Sequence, residues 1–133
     1  MAQRPRILVV DDDELLQELV KISLEGEGYV VAQALDGAGM RRELEVALPD
    51  LIVLDVVLPD VDGRKLLTAL KKDPKTANIP VMLWSARYRD SDSDIALDLG
   101  AEEFLEKGPT DGLSSKIERI LLRLSERIPV AMR

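Results

Sequence analysis

Leu51-Ile52-Val53-Leu54-Asp55 is an apolar run that ends abruptly in a carboxylate, with Val56-Val57-Leu58-Pro59 behind it. So short an apolar run, bounded by polar Asp50 and a proline turn, predicts a strand buried on both faces. Asp55 then stands at the strand's carboxyl end, where open α/β sheets place their ligand crevices. Working outward, the question is what else the chain brings to that carboxylate.

Ile7-Leu8-Val9-Val10 is a second buried-strand run, and it too ends in acid, Asp11-Asp12-Asp13. Leu15, Leu16, Leu19, Val20, Ser23 and Leu24 follow at helical spacing and stop near Gly26 and Gly28. Tyr29 to Ala34 reads as an edge strand. Asp36 and Gly37 open a helix to about Ala47, which Pro49 stops. The turn Leu58-Pro59-Asp60-Val61-Asp62-Gly63 leads to a helix marked by Leu66, Leu67 and Leu70 and ending near Asp73-Pro74. Ile79 to Trp84 is the fourth strand, with Pro80 among its first residues. A polar segment, Arg87 to Asp94, leads into a short fourth helix with Ile95, Ala96 and Leu99, stopped by Gly100. Glu102 to Leu105 is a short fifth strand. Leu113, Ile117, Ile120, Leu121 and Leu124 give a fifth, amphipathic helix that ends before Pro129.

Strands alternating with helices mean βαβ units and a parallel sheet. The expectation is one domain over residues 1–133, with its core at about 6–124 and a short tail at 125–133. The chain holds no cysteine and no histidine, which excludes disulfides, phosphohistidine and imidazole chemistry on this chain. A net charge of −7 argues against a nucleic-acid surface on this domain. No apolar stretch reaches membrane-spanning length. Asp11 interrupts the apolar run after the basic start, so no signal peptide is expected. The reading is a soluble, cytoplasmic protein.

A helix cap explains one acid at the end of the first strand, and Asp13 is the best candidate for it. Three acids exceed that need. If the first and third strands are neighbours, as in the order 2-1-3-4-5, then Asp11, Asp12 and Asp55 face one crevice. Clustered carboxylates repel unless protonated or neutralised by a cation. With no nitrogen or sulfur ligand available, oxygen donors point to Mg2+ or Mn2+. No glycine-rich phosphate cradle is present, so a phosphate should arrive together with the divalent ion. The fourth strand ends in Trp84-Ser85-Ala86 and the fifth in Phe104-Leu105-Glu106-Lys107. Taken singly, the serine is a turn residue and the lysine a solvated one. Their placement at the same edge as the acids is the pointed observation.

These motifs in order identify a resemblance to the receiver domain of two-component response regulators, of the chemotaxis-regulator kind. It rests on Ile7 through Asp13, Leu54-Asp55, Leu58 through Gly63, Ser85-Ala86, and Gly100-Ala101-Glu102-Glu103-Phe104 leading to Lys107. The resemblance implies a flavodoxin-like (βα)5 fold, a doubly wound five-stranded parallel sheet of order 2-1-3-4-5. It implies Asp55 as phosphoacceptor; Asp11, Asp12, Asp55 and the Val57 carbonyl around Mg2+; Ser85 and Lys107 on the phosphoryl oxygens; and Ser85 with Phe104 as the switch. It further implies a histidine kinase or phosphotransfer protein as donor, and a readout through the fourth helix, fifth strand and fifth helix. The occupant of that face would be an unknown output partner or a second copy of the chain. The protein would not be a turnover enzyme.

Three features depart from the family pattern. Gly108 intervenes between Lys107 and Pro109, where the family places proline directly after its lysine. Val57 and Arg87 are apolar and basic at positions that tune phosphate lifetime, which predicts slow dephosphorylation. Trp84 is unusually large, and core packing is its plain reading. Arg119, Arg123 and Arg127 recur at i,i+4, as a solvated face or a docking patch. The rivals are an aspartate phosphatase of the haloacid dehalogenase type and an unphosphorylated pseudo-receiver used for docking. The phosphatase pattern needs a threonine where Leu15 stands.

Overall fold

The structure, a computed structural model, describes residues 4–86, 90–108 and 112–126. Five strands, β1 (Arg6–Val10), β2 (Val30–Ala34), β3 (Leu51–Asp55), β4 (Val81–Ser85) and β5 (Glu103–Glu106), form one parallel sheet in the order β2-β1-β3-β4-β5. Between and after them run α1 (Glu14–Gly26), α2 (Gly37–Val46), α3 (Gly63–Lys72), α4 (Asp90–Asp98) and α5 (Leu113–Glu126). The alternating pattern predicts the parallel sheet, and the doubly wound, flavodoxin-like order is the one the resemblance implies.

Burial follows position in the sheet. Every residue of β3 and β4 is buried, while β2 and β5, at the edges, are buried only in part. Strands covered on both faces must be apolar on both faces, which is why β3 reads as an unbroken run. One layer of core packs Leu8, Ile52, Leu54 and Leu83 against Met40 of α2, Leu66, Leu67 and Leu70 of α3, and Ala96 of α4. The other packs Ile7, Val9, Val53 and Met82 against Val20 and Leu24 of α1 and Ile117 and Ile120 of α5.

The helix ends obey local chemistry. Asp13 caps α1, accepting from the Leu16 amide at 3.1 Å; Asp36 caps α2 from Gly39 at 2.6 Å; Asp62 caps α3 from Arg64 at 2.8 Å. Each such cap contributes about 1 kcal/mol. Gly100 ends α4 at φ +105°, a left-handed conformation that glycine adopts without strain.

The structure departs from the sequence reading at the start of β4, the start of α4 and the buried face of α1. The strand β4 begins at Val81, because Pro80 has no amide to donate; its carbonyl still accepts from Ile52 at 3.0 Å. The helix α4 starts at Asp90, ahead of the apolar residues that marked it, since acids and serines suit a helix's first turn. In α1 the buried stripe is Gln17, Val20 and Leu24, whereas Leu15, Leu19 and Ile22 are exposed. No described helix is long and apolar enough to cross a membrane.

Candidate functional site

The sheet's register carries the acids to one rim. Val10 pairs with Leu54, so Asp11 and Asp55 are the next residues on adjacent strands. Asp55 pairs with Trp84, and Ser85 with Glu106, which places Ser85 and Lys107 one step further across the same edge. The Lys107 amide donates to the Ser85 carbonyl at 2.8 Å, so the fifth strand's exit is tied to the fourth.

Asp11 and Asp55 are buried, at 0% and 3% exposure, and Asp12 beside them is open to solvent. One oxygen from each of the three carboxylates lies within 4.8 Å of the others. The Lys107 Nζ enters this cluster, 2.6 Å from Asp11 Oδ2 and 2.8 Å from Asp55 Oδ2. The remaining oxygens are oriented by backbone. The Asp13 amide donates to Asp11 Oδ1 at 2.9 Å, and the Val57 amide to Asp55 Oδ1 at 3.1 Å.

Charge sets the chemistry of the crevice. Burial pushes the Asp55 carboxyl above its usual range; hydrogen bonds from Lys107 and Val57 pull it back, and the neighbouring Asp11 pushes it up again, with a net rise. For Lys107, burial opposes the charged form. The hydrogen bonds to Asp11 and Asp55 outweigh that and raise its pKa above the ordinary lysine value. Three carboxylates against one ammonium leave two negative charges uncompensated. A hard divalent cation matches both that excess and the all-oxygen donor set.

Gly63 lets the neighbouring helix approach. Its amide donates to the Val56 carbonyl at 2.7 Å, and a Cβ there would lie 2.0 Å from the Asp55 carbonyl oxygen. Any side chain would therefore push α3 off the end of β3. Asp60 braces the same loop, accepting from the Gly37 and Ala38 amides at 2.9 and 3.1 Å.

The other expected residues fall as follows. Ser85 is buried at the end of β4, and the Val57 side chain is exposed beside the crevice. Phe104 is buried in the core layer that includes Leu83, Ala96 and Ala101. Trp84 is buried in the opposite layer, and Lys107 Nζ lies 5.6 Å from its ring centroid, within cation–π reach. Arg119 and Arg123 are exposed on α5; Arg87, Pro109 and Arg127 lie outside the described residues. Sequence reasoning missed Gln17, whose buried side chain contacts the backbone of the acid loop. The signal was present: Gln17, Val20 and Leu24 share the i, i+3, i+7 spacing of a buried face.

Comparison with known proteins follows the same outline. The profile of the response regulator receiver domain matches residues 7–118. The DNA-binding dual master transcriptional regulator RpaA of Synechocystis is 42% identical over 129 residues, covering 96% of this chain and 53% of its own length. The phosphate regulon transcriptional regulatory protein PhoB of Rhizobium meliloti is 34% identical, covering 93% of this chain and 55% of its own. The chain thus spans about half the length of these curated relatives. Among solved structures, a CheY-like receiver domain protein from Methanospirillum hungatei superposes with a TM-score of 0.86 at 27% identity, covering 95% of this chain and all of that one.

Proposed function

The chain belongs to the response regulator receiver-domain family, and from that premise we propose that it is a phosphorylation-dependent switch with Asp55 as the phosphoacceptor. A histidine kinase or phosphotransfer protein supplies the phosphoryl group. A carboxylate oxygen of Asp55 attacks phosphorus as the bond from phosphorus to the donor's imidazole nitrogen breaks; the imidazole leaves with the electron pair, and an acyl phosphate remains. Asp12, Asp55 and the Val57 carbonyl would hold Mg2+ or Mn2+, and Asp11 would act on the ion through water. When bound, the ion neutralises charge on the transferring oxygens. Lys107 pairs with one phosphoryl oxygen and Ser85 donates to another.

The observation that carries this reading is the position of Lys107, in contact with both Asp11 and Asp55 while Asp12 stands open beside them. An ammonium already within 2.8 Å of the nucleophile is placed to take up the charge that arrives there. The gain in contacts at Ser85 and Lys107 biases two conformations of the fold, with Phe104 following Ser85. The readout face is α4, β5 and α5, met by an output partner or a second copy. Residues 1–133 form one receiver domain. The chain spans about half the length of transcriptional regulators it resembles, which supports an output domain as the receiver's partner.

Incubation with acetyl phosphate and Mg2+, read by intact mass, tests the proposal. One phosphoryl group per chain is expected, with none in Asp55→Asn or in chelator. Labelling of Asp11 would restore the phosphatase reading, and no labelling would favour a docking-only pseudo-receiver.

A further inference from the structure

The first turns of α1 carry a buried polar side chain for which a helix–sheet interface has no need. Gln17 is 3% exposed and shares the buried face of α1 with Val20 and Leu24. Its Nε2 lies 2.9 Å from the Val9 carbonyl oxygen, 3.1 Å from that of Asp11 and 2.9 Å from that of Ala34. Three carbonyl oxygens around one atom require that atom to be the amide nitrogen, with one of its two hydrogens shared. The arrangement is braced from outside, since Gln33 Nε2 donates to Gln17 O at 2.9 Å and to Gln17 Oε1 at 3.1 Å.

The contact with Asp11 is the informative one. The carbonyl of Asp11 belongs to the peptide that joins Asp11 to Asp12, and a peptide moves as a plane. On the other side, the Asp11 amide donates to the Ala34 carbonyl at 3.0 Å, the same oxygen that Gln17 holds. Both peptide planes flanking Asp11 are therefore anchored, one by β2 directly and one by Gln17. Asp12, exposed and with no such anchor of its side chain among the described residues, inherits its direction from the plane that Gln17 fixes.

We propose that Gln17 is a positioning residue of the acidic crevice, holding the Asp11–Asp12 peptide so that both carboxylates meet Asp55 around a divalent cation. This rests on the metal-binding part of the function proposed above. A neutral amide suits the task, because it satisfies three carbonyls without adding positive charge beside the ion.

The test is Mg2+ titration by calorimetry, with denaturant melts in chelator run in parallel. Gln17→Met keeps the length and bulk of the side chain and removes its donors. Outer-sphere partners of metal ligands typically govern affinity by about 10–100-fold, and Mg2+ binding weakened about tenfold is expected. Thr76→Val is the control for stability alone, since it deletes another buried bond to a carbonyl, Thr76 Oγ1 to Leu70 O at 2.7 Å, remote from the crevice. It should lower the melt and leave Mg2+ affinity at the wild-type value. Should Gln17→Met not fold, Gln33→Met removes only the brace and should weaken Mg2+ by a smaller factor. Wild-type affinity in Gln17→Met, or in Gln33→Met where that variant stands in, would overturn the inference. So would a Thr76→Val loss equal to that of Gln17→Met. A wild-type protein that binds no Mg2+ would instead remove the metal site itself.

Discussion

Lys107 is the residue on which the crevice's charge balance turns. It is the described cation that touches both Asp11 and Asp55, and without it two buried carboxylates face each other with one backbone amide donor apiece. Losing one member of a largely buried ionic contact leaves the others unpaired, typically at 1–3 kcal/mol or more. Lys107→Ala should therefore lose about 2 kcal/mol of stability in chelator, part of it recovered by Mg2+, as followed by urea melts. Equal melts for the two proteins in chelator would contradict the ion pairs. Trp84 offers an optical view of the same lysine. Its ring lies 5.6 Å from the ammonium, so a charge arriving at Asp55 should alter its emission. Fluorescence is expected to change on adding Mg2+ or beryllofluoride, and an unchanged spectrum with both would refute the coupling.

Among the elements, the loop from β3 to α3 shows how a distant helix is tied to the site. Asp60 accepts from two amides at the start of α2, and those hydrogen bonds hold its carboxyl below the usual aspartate range. A depressed folded-state pKa means stability that is present above the unfolded value and lost as pH falls through the folded one. Asp60→Ala should thus melt below wild type at pH 7. The gap should close as pH drops below the ordinary aspartate value of 3.8. A gap that is constant with pH would show that the carboxylate's charge is not what matters. The elements also show what a sequence makes legible. The strands β1 and β3 could be read because full burial leaves only apolar residues until the final acid. The helix α1 could be placed but its face could not. Leu15 and Leu19 recur at helical spacing with Val20 and Leu24 yet are exposed, while Gln17 is buried for its hydrogen bonds. The start of α4 was hidden for a related reason, since its first residues are polar and carry no period. The crevice residues Asp11, Asp12, Asp55, Ser85 and Lys107 were legible as strand-end residues. Their mutual distances came only with the register.

For the molecule as a whole, the proposed switch depends on how long the acyl phosphate lasts. Hydrolysis needs a water held in line with phosphorus, and the exposed side chain of Val57, two residues after Asp55, is apolar and orients none. Phosphorylated protein should persist for minutes or longer in Mg2+ buffer, followed by intact mass after removal of acetyl phosphate; loss within seconds would contradict this. The broader claim is that four remote segments, ending β1, β3, β4 and β5, act as one site. A crystal structure grown with Mg2+ and beryllofluoride tests it most directly. Beryllium is expected on Asp55, with the ion shared by Asp12 and Asp55 and with Lys107 and Ser85 on the fluorides. A structure with Lys107 turned away from Asp55, or with the ion bound elsewhere than beside Asp12, would contradict it.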